Sequence, residues 1–349
     1  MTAPAKLIDI ETAMPSTTLR RAFQCIKSPV EKALSIDSLN KAYLDTKESS
    51  ADNNYFDACL KNLGVSLNYS ENDLKNIPTT GPLIIVANHP FGALEAIIIA
   101  SLINKVRSDV KILGNHFLSL IQEIEKDIIP VDAFKGREAM SGNGSSLRSM
   151  MRWLKDEKSV IAFPAGEVSS FSIKKGKIED PPWNTHIASI AQRTKATVLP
   201  IYFNGNNSML FQALGLVHSS LRTIMLPREL MNKSSKGVDL CIGKAIGPGQ
   251  CAKFSSPEDL AHYMRVKTYI LKLKKPNSPQ SDYTVSQKSL EDVKAKSQNQ
   301  PISEEVSPVI LQHEVETLGE ECLLLEKGLK HFWIFTAKHS SLNKSVIRD

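Results

Sequence analysis

Two apolar runs on either side of an eight-residue break limit the possible folds of this chain more than any other feature. Pro82 to Ala87 (Pro-Leu-Ile-Ile-Val-Ala) is uniformly apolar and short, and it predicts a strand buried on both faces. Asn88 to Glu95 (Asn-His-Pro-Phe-Gly-Ala-Leu-Glu) follows, with Pro90 and Gly92 breaking regular structure directly after His89. A second apolar run, Ala96 to Ala100, then predicts a helix. A buried strand therefore delivers a histidine to a turn, and turns of that kind carry function.

The same alternation continues downstream. Helices are expected over Ala93–Asn104, Leu118–Lys126, Leu147–Lys155 and His186–Lys195. Strands are expected at Val110–Gly114, Ile128–Val131, Ser159–Phe163 and Thr197–Phe203. Strands that take turns with helices specify an α/β layer, here a mixed and largely parallel central sheet flanked by helices. Functional side chains then gather beyond the strand C-termini. Three stretches qualify: Asn88 with His89, Asp132 to Arg137, and Pro164 to Ser170.

Around this core, residues 1–75 form a helical N-terminal region and 76–271 the main domain. Residues 272–305 turn to Lys, Ser, Pro, Asn and Gln, the composition of a flexible linker, and 306–349 form a C-terminal segment with a strand hint at Phe332 to Phe335. Leu19, Ala22, Phe23 and Ile26 repeat at helical spacing among Arg20, Arg21 and Lys27, which suits a packed helix or one lying on a membrane.

Across 349 residues, 42% hydrophobic and 23% charged content is that of a globular chain with a real core. No run reaches the length of a membrane span and the N-terminus lacks a secretory signal, so a cytoplasmic protein is expected. Cys25, Cys59, Cys241, Cys251 and Cys322 are scattered, which speaks against a disulfide framework or a zinc site. The net charge of +6 favours an anionic partner, a phospholipid surface or an acidic carrier protein. Nucleic acid is not an expected partner, although charge alone does not exclude it.

His89 and Glu95 are the residue types of a general base and its orienting carboxylate. On a continuous helix a separation of six places them on different faces, so the pair forms only if the Pro90 and Gly92 turn folds Glu95 back. The same residues also suit a hydrogen-bonded structural histidine and a glutamate complementing a helix dipole. Gly166 allows close backbone approach to an oxyanion or headgroup, with Glu167 and Ser169 as polar contacts; a plain strand-ending turn has the same composition. Lys135 and Arg137 offer cations for a phosphate or carboxylate, or are surface charges. Hydrolase, phosphate-loop, zinc-protease and dinucleotide fingerprints are absent.

Taken in order, several blocks resemble the glycerolipid acyltransferase superfamily, in particular its haemolysin-like, ornithine-lipid O-acyltransferase branch. They are Asn-His-Pro-Phe-Gly-Ala-Leu-Glu at 88, Val-Arg-Ser-Asp-Val-Lys-Ile-Leu at 106, Pro-Val-Asp at 130, Phe-Pro-Ala-Gly-Glu-Val-Ser at 163, Val-Leu-Pro-Ile-Tyr-Phe-Asn-Gly at 198, and the stretches 221–223 and 228–230. The resemblance implies a glycerol-phosphate acyltransferase-like fold and O-acyl transfer to a lysolipid at the inner face of the membrane. It implies His89 as base, Glu95 as its partner, and Asn88, Lys135, Arg137, Gly166, Glu167 and Ser169 near the substrate. The acyl donor would be a thioester of acyl carrier protein or coenzyme A, with no other cofactor and no metal. The C-terminal segment faintly resembles the start of a second, N-acyltransferase-like domain. A non-catalytic membrane or carrier-binding module on the same fold is the alternative.

Two departures bear on the acceptor. The superfamily's common pair is His with Asp five positions on, whereas Glu95 stands six after His89. The common Phe-Pro-Glu-Gly-Thr-Arg-Ser block has Val168 in place of its arginine and a carboxylate at Glu167. The haemolysin-like branch shares the longer spacing, and the Val168 and Glu167 changes favour an amine-bearing acceptor such as a lyso-ornithine lipid over lysophosphatidic acid.

Overall fold

The computed structural model describes residues 6–9, 27–50, 54–115, 118–119, 121–131 and 144–274, with the backbone of 323–327 and 330–333. Lys135 and Arg137 lie outside the described residues, as do the amphipathic stretch at 19–26 and most of the expected linker. The chain divides into two compact units, 1–278 and 279–349.

In the first unit, helices α1 (Lys27–Ala33), α2 (Ile36–Ser49) and α3 (Tyr55–Asn62) lead to a short strand, β1 (Ser66–Asn68). Gly64, at φ +63°, stops α3 where a side chain would be strained. Then come β2 (Leu83–Ala87), α4 (Ala93–Asn104), β3 (Val110–Asn115), β4 (Ile128–Val131), α5 (Gly144–Lys155) and β5 (Ser159–Ala162). A hairpin of β6 (Ser170–Ser172) and β7 (Lys177–Glu179) precedes α6 (Thr185–Thr194) and β8 (Thr197–Phe203). The unit closes through α7 (Met209–Val217), α8 (Ser219–Met231), β9 (Gly237–Ile242), α9 (Pro248–Cys251) and α10 (Pro257–Tyr269).

Seven strands form the central sheet in the order β1-β9-β8-β2-β5-β3-β4, with every neighbour parallel except β8 against β9. β2 lies at the middle, where Ile85 sits between Leu199 and Ile161. Its alternation builds both layers. Ile85 and Ala87 pack with Phe56 and Leu60 of α3 and Leu94 and Ile98 of α4. Ile84 and Val86 pack with Met150 of α5, Ile187 of α6, and Leu260 and Met264 of α10. Each such burial contributes about 1.5–3 kcal/mol, which is why β2 has no polar residue until Asn88.

The helix expected over Leu118–Lys126 is instead a 3-10 turn at Gln122–Asp127, with Ile124 its one buried hydrophobic residue. Leu118, Ile121 and Ile124 pack against the core at a spacing of three, which matches the three residues per turn of a 3-10 helix. In the second unit, β10 (Leu323–Lys327) and β11 (Lys330–Trp333) pair antiparallel, with Glu326 opposite His331; the strand hint in that segment falls two residues later in the sequence than β11 begins.

Candidate active site

Asn88 and His89 leave β2 at its C-terminal end, beside the same ends of β5 and β8. The Asn88 side chain donates from Nδ2 to the Phe203 carbonyl (2.9 Å) and accepts from the Phe203 amide (2.7 Å). Its amide is therefore a staple between the central strands, and its buried position keeps water off both bonds.

After His89 the chain turns through Gly92, whose φ of +112° only glycine adopts without strain. A side chain there would also meet Leu226 of α8 at 3.1 Å. This turn starts α4 one residue later and swings Glu95 back beneath His89. Glu95 Oε1 comes within 3.4 Å of His89 Nδ1 and accepts the Phe91 backbone N–H at 2.6 Å. Glu95 is 0% exposed, and it is the one charged residue in a largely apolar helix, Ala-Leu-Glu-Ala-Ile-Ile-Ile-Ala-Ser-Leu-Ile-Asn. A carboxylate is rarely buried so completely without a charged or hydrogen-bonding reason.

At 3.4 Å the pair is within ion-pair reach but looser than a formed N–H···O bond, and both Nδ1 and Glu95 Oε2 lack hydrogen-bond partners. Oε1 already holds the Phe91 amide, so Nδ1 and Oε2 are buried groups of this pair with hydrogen-bonding capacity to spare. The imidazole stacks on Phe163, with ring centroids 4.2 Å apart and planes 22° from parallel. With one face covered and Nδ1 turned to Glu95, the imidazole keeps 17% of its side-chain surface exposed.

The backbone of His89 is held at both ends. Its N–H donates to Asp180 Oδ1 (3.1 Å) and its carbonyl accepts from the Ser169 amide (2.8 Å). Ser169 Oγ also donates to Asp180 Oδ1, and Trp183 Nε1 donates to Asp180 Oδ2 (3.0 Å). Ser169 is thus a support of the histidine turn through a buried hydroxyl. Lys233 braces the turn from the other side: it donates to the Asn206 carbonyl (2.8 Å), stands 4.4 Å from the Phe91 ring centre, and burial pulls its ammonium below the ordinary lysine range.

Gly166 (φ +73°) sits at the apex of the neighbouring loop with open space where a side chain would be. Glu167 is exposed there and pairs with Arg222 of α8 at 3.2 Å, so one carboxylate and one guanidinium meet at this loop. The structure brings together His89, Glu95, Asn88, Gly166, Glu167 and Ser169, and it adds Phe163, Asp180, Arg222 and Lys233. Asp180 stands 91 positions from the residue it holds, in a Glu-Asp-Pro-Pro-Trp stretch without a local signal. A surface cavity of about 630 Å³ lined by Tyr55, Asn104, Val110 and Glu123 lies at the opposite, N-terminal ends of the strands, away from this chemistry.

The profile of the acyltransferase family matches residues 31–277, most of the chain and all of this site. The chain belongs to the acyltransferase family. A lyso-glycine lipid O-acyltransferase from Phocaeicola vulgatus is 24% identical over 247 residues, covering 67% of this chain and 83% of that protein. The enzyme of the same description from Bacteroides thetaiotaomicron is 23% identical over 254 residues, 70% and 89% of the two chains. A crystal structure of the 1-acyl-sn-glycerophosphate acyltransferase PlsC from Thermotoga maritima covers 77% of this chain and 87% of its own, at 18% identity and a TM-score of 0.41. This acyltransferase thus brings His89 and the buried Glu95 together at the C-terminal end of its central strand, with the Glu167–Arg222 ion pair joining the neighbouring loop to α8.

Proposed function

We propose that the enzyme moves an acyl group from a thioester of acyl carrier protein or coenzyme A to the hydroxyl of a lysolipid with an amino-acid headgroup, at a membrane surface. The observation that carries this reading is Glu95, wholly buried in a largely apolar helix and aimed at a half-covered histidine. Glu95 favours the tautomer with the proton on Nδ1, which leaves the Nε2 lone pair free. His89 Nε2 takes the acceptor hydroxyl proton as its oxygen attacks the thioester carbonyl, and the intermediate collapses to an ester and a thiolate. The same nitrogen returns the proton to the sulfur. General-base help of this kind is worth about 10²- to 10⁴-fold in rate.

The acceptor reading rests on Glu167 and Arg222. An amino-acid headgroup presents an ammonium, a carboxylate or both, and this ion pair offers the complement of each. The two named relatives act on lyso-glycine lipid, which supports the lysolipid class.

The test is purified enzyme with labelled acyl-carrier-protein and coenzyme A thioesters, offered lyso-ornithine lipid, lyso-glycine lipid and lysophosphatidic acid, with products read by lipid mass spectrometry. A new ester on a lyso-amino-acid lipid is expected. Lysophosphatidic acid as the preferred acceptor overturns the headgroup assignment, and no transfer from either thioester overturns the donor.

A further inference from the structure

We infer that the outer face of α7 and α8, with the tip of the β6–β7 hairpin, docks the enzyme onto an anionic lipid bilayer. This rests on the proposed lipid acceptor and names the surface through which it is reached. α7, Met-Leu-Phe-Gln-Ala-Leu-Gly-Leu-Val, contains no charged residue, yet only Phe211 and Gln212 are buried. Met209, Ala213, Leu216 and Val217 recur at i, i+4, i+7 and i+8, so they share one face, and that face points outward. Met209 is 76% exposed and Val217 77%, and on the adjoining α8 Ile224 is 52% exposed. A packed surface helix carries the opposite pattern, and a contiguous outward apolar stripe marks an interaction site.

The charges beside it identify the partner. The hairpin tip reads Ile-Lys-Lys-Gly-Lys from Ile173 to Lys177, with Ile173 76% exposed. It is fixed to α7 by the Phe171 amide, which donates to Gln212 Oε1 at 2.9 Å. Lys175 and Lys177 share one carboxylate, Glu179, and among the described residues no carboxylate pairs with Lys174. An apolar stripe bordered by excess ammonium groups fits a lipid interface with anionic headgroups, where the stripe enters the acyl boundary and the lysines meet phosphates. The same cations would repel one another across a self-dimer.

The inward side of this element covers the site. Leu226 of α8 packs over Gly92, Arg222 pairs with Glu167, and Asn207 just before α7 donates to the Phe91 carbonyl at 3.2 Å. A bilayer on the outer face would therefore lie beside the His89 turn, and a lysolipid would reach the base without leaving the interface.

Co-sedimentation of the full chain with phosphatidylcholine vesicles, and with vesicles partly replaced by phosphatidylglycerol, tests the assignment. Wild type is expected to bind the second kind in a salt-sensitive way. Leu216→Glu with Val217→Glu should weaken that binding about tenfold or more, and Lys174→Gln about fivefold. Both variants should keep wild-type circular dichroism and acyl transfer to detergent-dispersed acceptor, and lose it to vesicle-borne acceptor. Wild type that ignores anionic vesicles, variants that bind as wild type does, or a dimer dispersed by Leu216→Glu with Val217→Glu overturns the docking surface. Variant-sensitive vesicle binding without transfer to any lysolipid keeps the surface and removes the proposed reaction.

Discussion

Glu95 has two contacts that separate a catalytic from a structural role: the Phe91 amide and His89 Nδ1. Gln at this position keeps the acceptor for the amide but loses the charge that stabilises an imidazolium, and its NH₂ group can instead face Nδ1. Glu95→Gln is therefore expected to lower kcat by about 10²- to 10⁴-fold with little change in acceptor KM, read in steady-state transfer assays. Wild-type kcat would mean that Glu95 only complements the start of α4. The residues Asn-His-Pro-Phe-Gly showed that His89 sits on a strand-ending turn. They did not show that Glu95 reaches it, because that depends on the Gly92 backbone at φ +112°. Nor could local sequence pair His89 with Asp180, since only the packing of the loop after β5 brings them together.

At the scale of elements, the Arg107 to Asp109 segment has a structural job although it falls in a family-like block. Arg107 makes a bidentate pair with Asp109 (2.7 Å to each oxygen) and donates to the Pro78 and Glu157 carbonyls, tying loops at the N-terminal ends of the strands. Arg107→Ala should cost about 2–3 kcal/mol, fewer than for a fully buried pair because Asp109 is partly exposed, and should leave kcat unchanged. Thermal melts read the first and transfer assays the second. The Arg107 hydrogen bonds hold the Asp109 carboxyl below its ordinary value of 3.8. The sign follows from the depressed folded value: this stability is complete above pH 3.8 and is lost as pH falls through the lower folded value. The acid limb of stability against pH should thus be shallower in Arg107→Ala.

Elements were legible where burial writes an unbroken pattern. β2, β5 and β8 are short runs buried almost throughout, and α4 has the same limits in the sequence reading and in the structure. Between 204 and 271 the signals were weaker or contradictory. Pro227 inside α8 argues against a helix it does not break, and the outward apolar face of α7 does not read as an amphipathic core helix. α10 carried a usable cue, since Ser256 caps it by accepting from the Asp259 amide (3.1 Å). The antiparallel pairing of β8 with β9 depends on strand adjacency, which apolar patterning does not encode.

For the whole molecule, a parallel sheet buried on both faces leaves its C-terminal strand ends as the place where polar groups can be fixed and still reached. Three neighbouring strands meet there, and the helical hairpin of α7 and α8 covers the turn they support. Sequence alternation made this architecture readable, and the family match over 31–277 agrees with it. The central claim is that His89 is the base of acyl transfer, and the His89→Ala variant assayed for single-turnover transfer of a labelled acyl thioester to lysolipid tests it most directly. With the wild-type melting temperature retained, the rate is expected to fall by about 10²- to 10⁴-fold. A folded His89→Ala enzyme that transfers acyl groups at the wild-type rate would contradict the account.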